Sequence, residues 1–271
     1  WGSAMNVLME PWWLIPFLLA GLCGLVCPLL GTLLVVQQRV LTTNLMAYAV
    51  LPGVVIAKAL GWPELLGGMG GAMGAVLLAE LLMAGRPSGS GQAEAVLNTV
   101  LAASLGLGVL LVQGLELPVD LDGLLFGDLL VAGPADLLRL LAALALLLLV
   151  LRLRFHQLQW LGLDPEGAAD IELPLRCLRL TMAALTALVV VSATAAVGLA
   201  LVMALICAPS LAVLSRAQSL AQALRLVAGL GMVVGVTGCG LALGFNLPPG
   251  PLMACFCLPL LWPKPAPRSW D

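Results

Sequence analysis

The stretch "GLCGLVCPLLGTLLVVQQRVLTTNLMAYAVLPGVVIAKALG", residues 21–61, holds two long apolar runs separated by the short polar segment "QQR". A helix needs about 20 mainly apolar residues to cross the hydrocarbon core of a bilayer. Both runs have that length once the first is extended back to residue 13. The stretch therefore predicts two membrane-spanning helices, at about 13–37 and 42–61.

The composition of the whole chain agrees with a membrane environment. Apolar residues make up 62% of the 271 residues, charged residues only 10%, and the mean hydropathy is +1.11. Soluble domains carry about 25% charged residues, so a water-soluble protein is excluded. We predict an all-α polytopic membrane protein with about nine crossings, within a range of seven to ten; the further crossings are 65–84, 95–114, 134–151, 176–194, 197–214, 222–243 and 249–262.

Two boundaries of this interpretation stay open. Residues 191–215 form either parts of two crossings or one long bent helix. The opening "WGSA", before Met5, is typical of residues left by expression cloning. We therefore expect residues 5–271 to form a single transmembrane domain.

The basic residues predict the orientation of the chain. If the first crossing runs from outside to inside, ten of the twelve Lys and Arg residues lie on the cytoplasmic side, and only Lys58 and Arg139 do not. Such a bias fixes the topology of membrane proteins with short loops. The acidic segment "ELPVDLD", residues 116–122, lies on the opposite side. We expect a multi-pass protein of the plasma (inner) membrane with its amino terminus outside and its carboxyl terminus in the cytoplasm.

No catalytic or nucleotide site is predicted. The glycine-rich "RPSGSGQAE", residues 86–94, lacks the Lys-Ser/Thr pair with which phosphate loops contact phosphate and magnesium. The only histidine, His156, lies in a basic segment without a membrane nucleophile beside it. We expect no cofactor on this chain, no enzymatic activity and no nucleic-acid partner, so ATP hydrolysis would belong to another polypeptide.

Soft metal ligands are present, but their setting favours packing. Cys23 and Cys27 share a helix face and could bind a soft metal as thiolates, although buried free cysteine usually behaves as a small apolar residue. Met69 and Met73 in "GGMGGAMGA" could be thioether ligands, but the glycines around them indicate close helix packing. No metal site is assigned.

The segment "NLMAYAVLPGVVIA", residues 44–57, places Pro52 and Gly53 inside an apolar run. Proline cannot donate the usual backbone hydrogen bond, so the pair should break the helix and free carbonyl groups. Such groups are tolerated in a membrane only where protein or a water-filled cavity satisfies them. The segment thus predicts a cavity or a tight helix contact. Asn44 and Tyr48, one turn apart on one face, could present an amide, a carbonyl oxygen and a phenol to a passing solute.

One long polar stretch, residues 152–179, lies on the basic side between two apolar spans. In its segment "LDPEGAADI", Asp164 is a typical N-cap, followed by Pro165 at the first helical position and Glu166 in the first turn. A short helix is predicted to begin there. It serves either as a docking surface or as a helical linker at the lipid headgroups.

Five segments together resemble the membrane permeases of ABC importers for divalent metals, the zinc/manganese/iron type. The segment 21–61 resembles the long opening block of that family. The other four follow in the family's order: "LLFGDLLVAGPADLL" (124–138), "LDPEGA" (163–168), "VGLALVMALICAPSLAVLSR" (197–216) and "FNLPPGP" (245–251).

The resemblance implies a type II ABC importer-like permease. It implies a second copy of the permease in a homodimer, two cytoplasmic ATPase subunits that carry ATP and Mg, and an extracytoplasmic solute-binding protein. It makes residues 155–175 the ATPase-coupling segment, with Asp164, Pro165, Glu166 and Ala168. It places the helix with Asn44, Tyr48, Pro52 and Gly53 along the translocation pathway.

The chain departs from the family at two of these positions. Asn44 and Tyr48 stand where the metal importers usually have aspartate and histidine. Neither replacement is charged, because an amide does not ionise and a phenol with a pKa near 10 stays protonated at neutral pH. Three functions remain open: an importer of manganese, iron or zinc with a weak pathway site, an importer of a neutral or chelated solute, and a membrane scaffold that does not transport.

Overall fold

In the computed structural model, the described residues are 14–83, 90–115, 132–163, 175–245 and 247–261, with Gly123, Gly127 and Leu129. Their regular structure is helical throughout. Within these ranges the chain forms nine α-helices and a terminal 3-10 helix over Leu258–Leu261. The α-helices are α1 (Leu14–Val36), α2 (Val40–Leu60), α3 (Glu64–Met83), α4 (Ser90–Gly114), α5 (Pro134–Leu163), α6 (Leu175–Val197), α7 (Leu199–Leu214), α8 (Leu220–Phe245) and α9 (Pro249–Cys257).

Among these described helices, seven are long and apolar enough to cross a membrane, and the two shorter apolar helices are Leu199–Leu214 and Pro249–Leu261. The all-α polytopic fold and the range of seven to ten crossings are thereby confirmed. The predicted boundaries agree within five residues except at α5. That helix continues through "RLRFHQLQWLGL" to Leu163, because no proline occurs before Pro165 and a fall in hydropathy alone does not end a helix.

The chain breaks between α6 and α7 at one residue, Gly198, with φ 81° and ψ 159°. This backbone conformation is essentially restricted to glycine. Gly127, also with positive φ, lies directly against the break: a methyl group there would overlap the Val197 carbonyl. Residues 191–215 are therefore two helices, and Gly127 makes a close backbone contact with the break between them.

The core is centred on α1, which packs against α8, α7, α5 and α6. Gly24 of α1 and Gly231 of α8 meet so closely that a methyl group on either would overlap the other's carbonyl. Cys23 and Cys27 are free thiols with no exposed surface and belong to this core. Both therefore behave as small buried apolar residues.

Candidate translocation site

Helix α2 is continuous from Val40 to Leu60 even though Pro52 lies inside it. The predicted break is therefore wrong, and the predicted tight helix contact is present instead. Gly53 packs against α3, where a methyl group on it would overlap the Gly67 carbonyl and one on Gly71 would overlap the Ala49 carbonyl. The glycines of "GGMGGAMGA" that face α2 thus serve close packing, as the sequence predicted.

Asn44 and Tyr48 lie on the other side of α2 from this contact. Gly53 is nine residues after Asn44, which is about two and a half turns at 3.6 residues per turn. Both side chains are half-buried. Within the described part of the chain, neither side chain is tied by a hydrogen bond. The structure therefore brings Asn44 and Tyr48 together on a partly open face and places Gly53 on the opposite one.

Pro52 contributes to the Asn44 face through the backbone. It has no N–H, so the carbonyl of Tyr48, four residues earlier, loses its usual helical donor. On the same side, Leu51 and Pro52 border α4 at Gly108, where any added methyl group would meet both side chains. The Tyr48 carbonyl, without its helical donor, therefore belongs to the same stretch of α2 as the Asn44 amide and the Tyr48 phenol, just before the contact with α4.

This arrangement, which we call the α2 oxygen face, consists of the Asn44 side chain, the Tyr48 phenol and the Tyr48 carbonyl. All its donors are neutral oxygens. Oxygen ligands suit hard cations such as Mn²⁺, whereas thiolate and imidazole suit softer ones. Among the described residues, no three or more His, Cys, Asp or Glu side chains come together as a metal group. A dication on this face would be held by dipoles alone and released readily.

Comparison with known protein families gives a match over nearly the whole chain. Residues 12–262 match the ABC 3 transport family. The chain belongs to the ABC 3 transport family. The matched residues include all five segments that resemble the metal-importer permeases.

Relatives of this ABC 3 family member are membrane proteins. It is 30% identical over 237 residues to an uncharacterized membrane protein of Cyanophora paradoxa, covering 87% of this chain and 78% of the relative. It is 27% identical over 221 residues to the manganese transport system membrane protein MntC of Halalkalibacterium halodurans, covering 81% and 74%. The structure of PsaBC from Streptococcus pneumoniae in complex with Fab matches with a TM-score of 0.87 at 22% identity, covering 99% of this chain and 98% of that one. At this identity the likeness shows the fold.

The ATPase-coupling residues predicted for this ABC 3 family member, Asp164, Pro165, Glu166 and Ala168, lie outside the described residues. Of the segment 155–175, the described part ending at Leu163 continues α5. Arg154 near its end is exposed and donates to the Gln157 side chain at 2.7 Å. The basic residues of this region therefore lie on α5 itself, beyond its apolar part.

The sequence did not predict a second polar cluster in the ABC 3 family member. A cavity of about 310 Å³ lies between α1, α2, α3 and α6, and Gln37, Arg39, Glu80 and Arg179 line it. Burial lowers the pKa of Arg39, nearby Arg179 lowers that pKa further, and Glu80 acts in the opposite direction. One signal for the cluster existed in the sequence: Arg39, Glu80 and Arg179 all lie near span ends predicted to be cytoplasmic.

Proposed function

We propose that this chain is the membrane-spanning permease subunit of an ATP-driven importer for divalent metal ions: manganese, iron or zinc. The observation that carries the proposal is the α2 oxygen face. The half-buried side chains of Asn44 and Tyr48 have no hydrogen-bond partner in the described chain, and Pro52 withholds the usual helical donor from the Tyr48 carbonyl. Polar groups inside a membrane are costly and mark substrate pathways. Family membership and the manganese transport system relative support the same cargo class.

The ligand chemistry of the face favours manganese over zinc. Zinc prefers nitrogen and sulfur ligands, whereas Mn²⁺ accepts carbonyl and other oxygen ligands, commonly in an octahedral set of six. One chain offers three such groups, and a second copy facing it across a two-fold axis would offer three more. Manganese is thus the cargo that neutral oxygens from a homodimer suit best. Binding by dipoles stays weak, and this lets the ion leave as well as enter.

The assembly follows from the same proposal. Residues 5–271 form one permease domain, paired with a second copy in the lipid bilayer of the plasma membrane. The amino terminus is outside and the carboxyl terminus is cytoplasmic. Two cytoplasmic ATPase subunits bind ATP and Mg and hydrolyse the ATP. They dock at Asp164, Pro165, Glu166 and Ala168. An extracytoplasmic solute-binding protein delivers the cargo and provides the selectivity that a weak pathway site lacks.

One specific observation favours a second cargo class. Asn44 and Tyr48 are both neutral. An amide and a phenol can each donate a hydrogen bond to an uncharged ligand and accept one from it. The aromatic ring of Tyr48 adds a stacking surface. The second candidate is therefore the same importer carrying a neutral or chelated solute.

The test is ATP-dependent uptake into proteoliposomes that contain the permease with its co-purified ATPase and binding protein. Manganese, iron and zinc are each compared with a no-metal control. Uptake of manganese that falls in Asn44→Ala and Tyr48→Phe, but not in the matched Asn98→Ala on the exposed side of α4, supports the proposal. ATP hydrolysis stimulated by the binding protein, with no metal uptake, would instead establish the second candidate.

A further inference from the structure

The cavity between α1, α2, α3 and α6, which we call the arginine cleft, has two chemically different ends. Its polar end carries Gln37, Arg39, Glu80 and Arg179. About one to two turns along their helices from these charged residues, the lining side chains are mainly apolar: Met46, Met73, Val76 and Met182, with the Thr186 hydroxyl donating to the Met182 carbonyl. We call this part the apolar end. The volume of about 310 Å³ is at the lower limit for small-molecule sites. The shape therefore suits the polar head and the first part of the tail of an amphipathic molecule.

The charges at the polar end are not balanced. Among the described residues that line the cleft, two guanidinium groups and one carboxylate leave a net charge of +1, because arginine stays protonated in proteins. Within the described residues the ion pairs are Lys58 with Glu64 and Arg139 with Asp136, so Glu80 is not within ion-pair distance of Arg39 or Arg179. The burial and the like charge that lower the pKa of Arg39 also make an added anion favourable there.

Two further groups at the polar end have hydrogen-bonding atoms that are unpaired in the described chain. Both the nitrogen and the oxygen of the Gln37 side-chain amide are buried and have no hydrogen-bond partner among the described residues. A buried polar group left unpaired costs free energy, so such a group calls for a specific partner. The second is the start of α2: its N-cap, Arg39, makes no side-chain capping hydrogen bond, and the first backbone N–H groups of a helix have no partner within it. Helix N-termini attract anions.

The turn that carries these groups is held in an uncommon conformation. Gln38 has a φ of 55°, the only positive φ of a non-glycine residue within the described chain. Such a backbone is uncommon for glutamine and tends to persist where the surroundings require it. In this turn it directs both neighbours, Gln37 and Arg39, to line the same cleft.

We propose that the arginine cleft binds the phosphate of an anionic phospholipid headgroup, with one acyl chain entering the apolar end. A phosphodiester carries one negative charge, which equals the net charge of the cleft with opposite sign. Arg39, Arg179, the Gln37 amide nitrogen and the α2 N–H groups supply the donors. Anionic lipids concentrate in the cytoplasmic leaflet, the side on which the proposed orientation places this end.

The lipid would lie away from the proposed pathway. Met46 and Gly53 are seven residues apart, about two turns, so the cleft lies on the α3 side of α2. Asn44 and Tyr48 face the other side. The lipid would therefore act as a bound structural element between α2, α3 and α6, and its binding can be tested independently of transport.

The experiment uses the full chain, delipidated in a neutral detergent. Short-chain phosphatidylglycerol, phosphatidylcholine of the same chain length and inorganic phosphate are titrated separately, with binding followed by the shift in the thermal unfolding midpoint and by native mass spectrometry. We expect phosphatidylglycerol to bind at least about ten-fold tighter than phosphatidylcholine. Both lipids carry the phosphodiester, but the choline cation of phosphatidylcholine would be repelled by the two guanidinium groups of the cleft.

The decisive variant is Arg179→Gln, which alters an exposed residue of the cleft, with Arg39→Gln as the second. Arg216→Gln is the matched control, because Arg216 is exposed at the end of α7 and outside the cleft. Phosphatidylglycerol affinity should fall about ten-fold in the cleft variants and stay unchanged in the control. Equal affinity for the two lipids, or equal effects of Arg179→Gln and Arg216→Gln, would overturn the proposal. Inorganic phosphate that binds as tightly as the lipid would replace the lipid with a free anion.

Discussion

Gly53 of α2 and Gly67 of α3 meet backbone to backbone, so that a methyl group added to either residue would press on the other's carbonyl oxygen. This contact joins the helix that carries Asn44 and Tyr48 to its neighbour in the chain. Because it lies on the opposite face of α2, it fixes the rotation of that helix. The direction in which the α2 oxygen face points is therefore set by a pair of glycines.

Gly53→Ala should destabilise the protein by about 1–3 kcal/mol, the usual cost of overpacking a tight contact. The matched control is Gly70→Ala on α3, where an added methyl group meets nothing within 4 Å. That change should be neutral or stabilising by about 0.5–1 kcal/mol, because alanine favours a helix over glycine. Thermal unfolding in detergent measures both. Equal midpoints for the two variants would show that the contact does not limit how closely α2 and α3 pack.

The break at Gly198 gives a second prediction. Gly198→Ala should cost about 1–3 kcal/mol, because its φ of 81° and ψ of 159° lie in a region that side chains rarely enter. Gly229→Ala within α8 is the control, since a methyl group there has open space. Unfolding midpoints of the two variants should therefore move in opposite directions. A stable Gly198→Ala protein would imply that α6 and α7 can join into one continuous helix.

Much of this fold was predictable because its signals are local. Apolar runs of membrane length, ended by turn residues, placed eight of the nine helices within five residues. The extension of α5 beyond residue 151 was not predictable from hydropathy, since helix formation does not stop where polarity rises. The role of Gly53 was recognised only in part: proline and glycine side by side predicted either a break or a contact, and only the position of α3 decides between them.

The arginine cleft shows a different limit. Arg39, Glu80 and Arg179 are distant in sequence, and each alone looks like an ordinary charge at the end of a span. Their meeting depends on how α2, α3 and α6 pack, which no local pattern records. By contrast, the pairing of Asn44 with Tyr48 follows from helix periodicity alone, so that part of the site could be predicted from the sequence.

The proposed orientation predicts which surfaces a membrane-impermeant thiol reagent reaches. In a background with the three cysteines that are not fully buried, Cys177, Cys207 and Cys255, replaced by serine, Glu64→Cys should be labelled in intact cells. Ser215→Cys should be labelled only after the membrane is opened. Both positions are exposed, so accessibility within the protein does not separate them. The reverse pattern would invert the topology and move the arginine cleft to the outer leaflet.

Asn44→Asp tests the charge of the pathway. An aspartate here, with an ordinary pKa of about 3.9, would be ionised at neutral pH and would add a negative charge to the α2 oxygen face. If a dication passes this face, manganese affinity measured by calorimetry should rise about ten-fold or more, since a hydrogen-bonding or ligating charge is worth about 1.5–3 kcal/mol over a neutral group. Asn98→Asp on α4 adds the same charge at an exposed position outside the face and should leave affinity unchanged.

If the cargo is a neutral solute, Asn44→Asp gains no manganese affinity and uptake falls, because the new charge must be dehydrated as each solute passes. Unchanged affinity together with unchanged transport would remove Asn44 from the pathway.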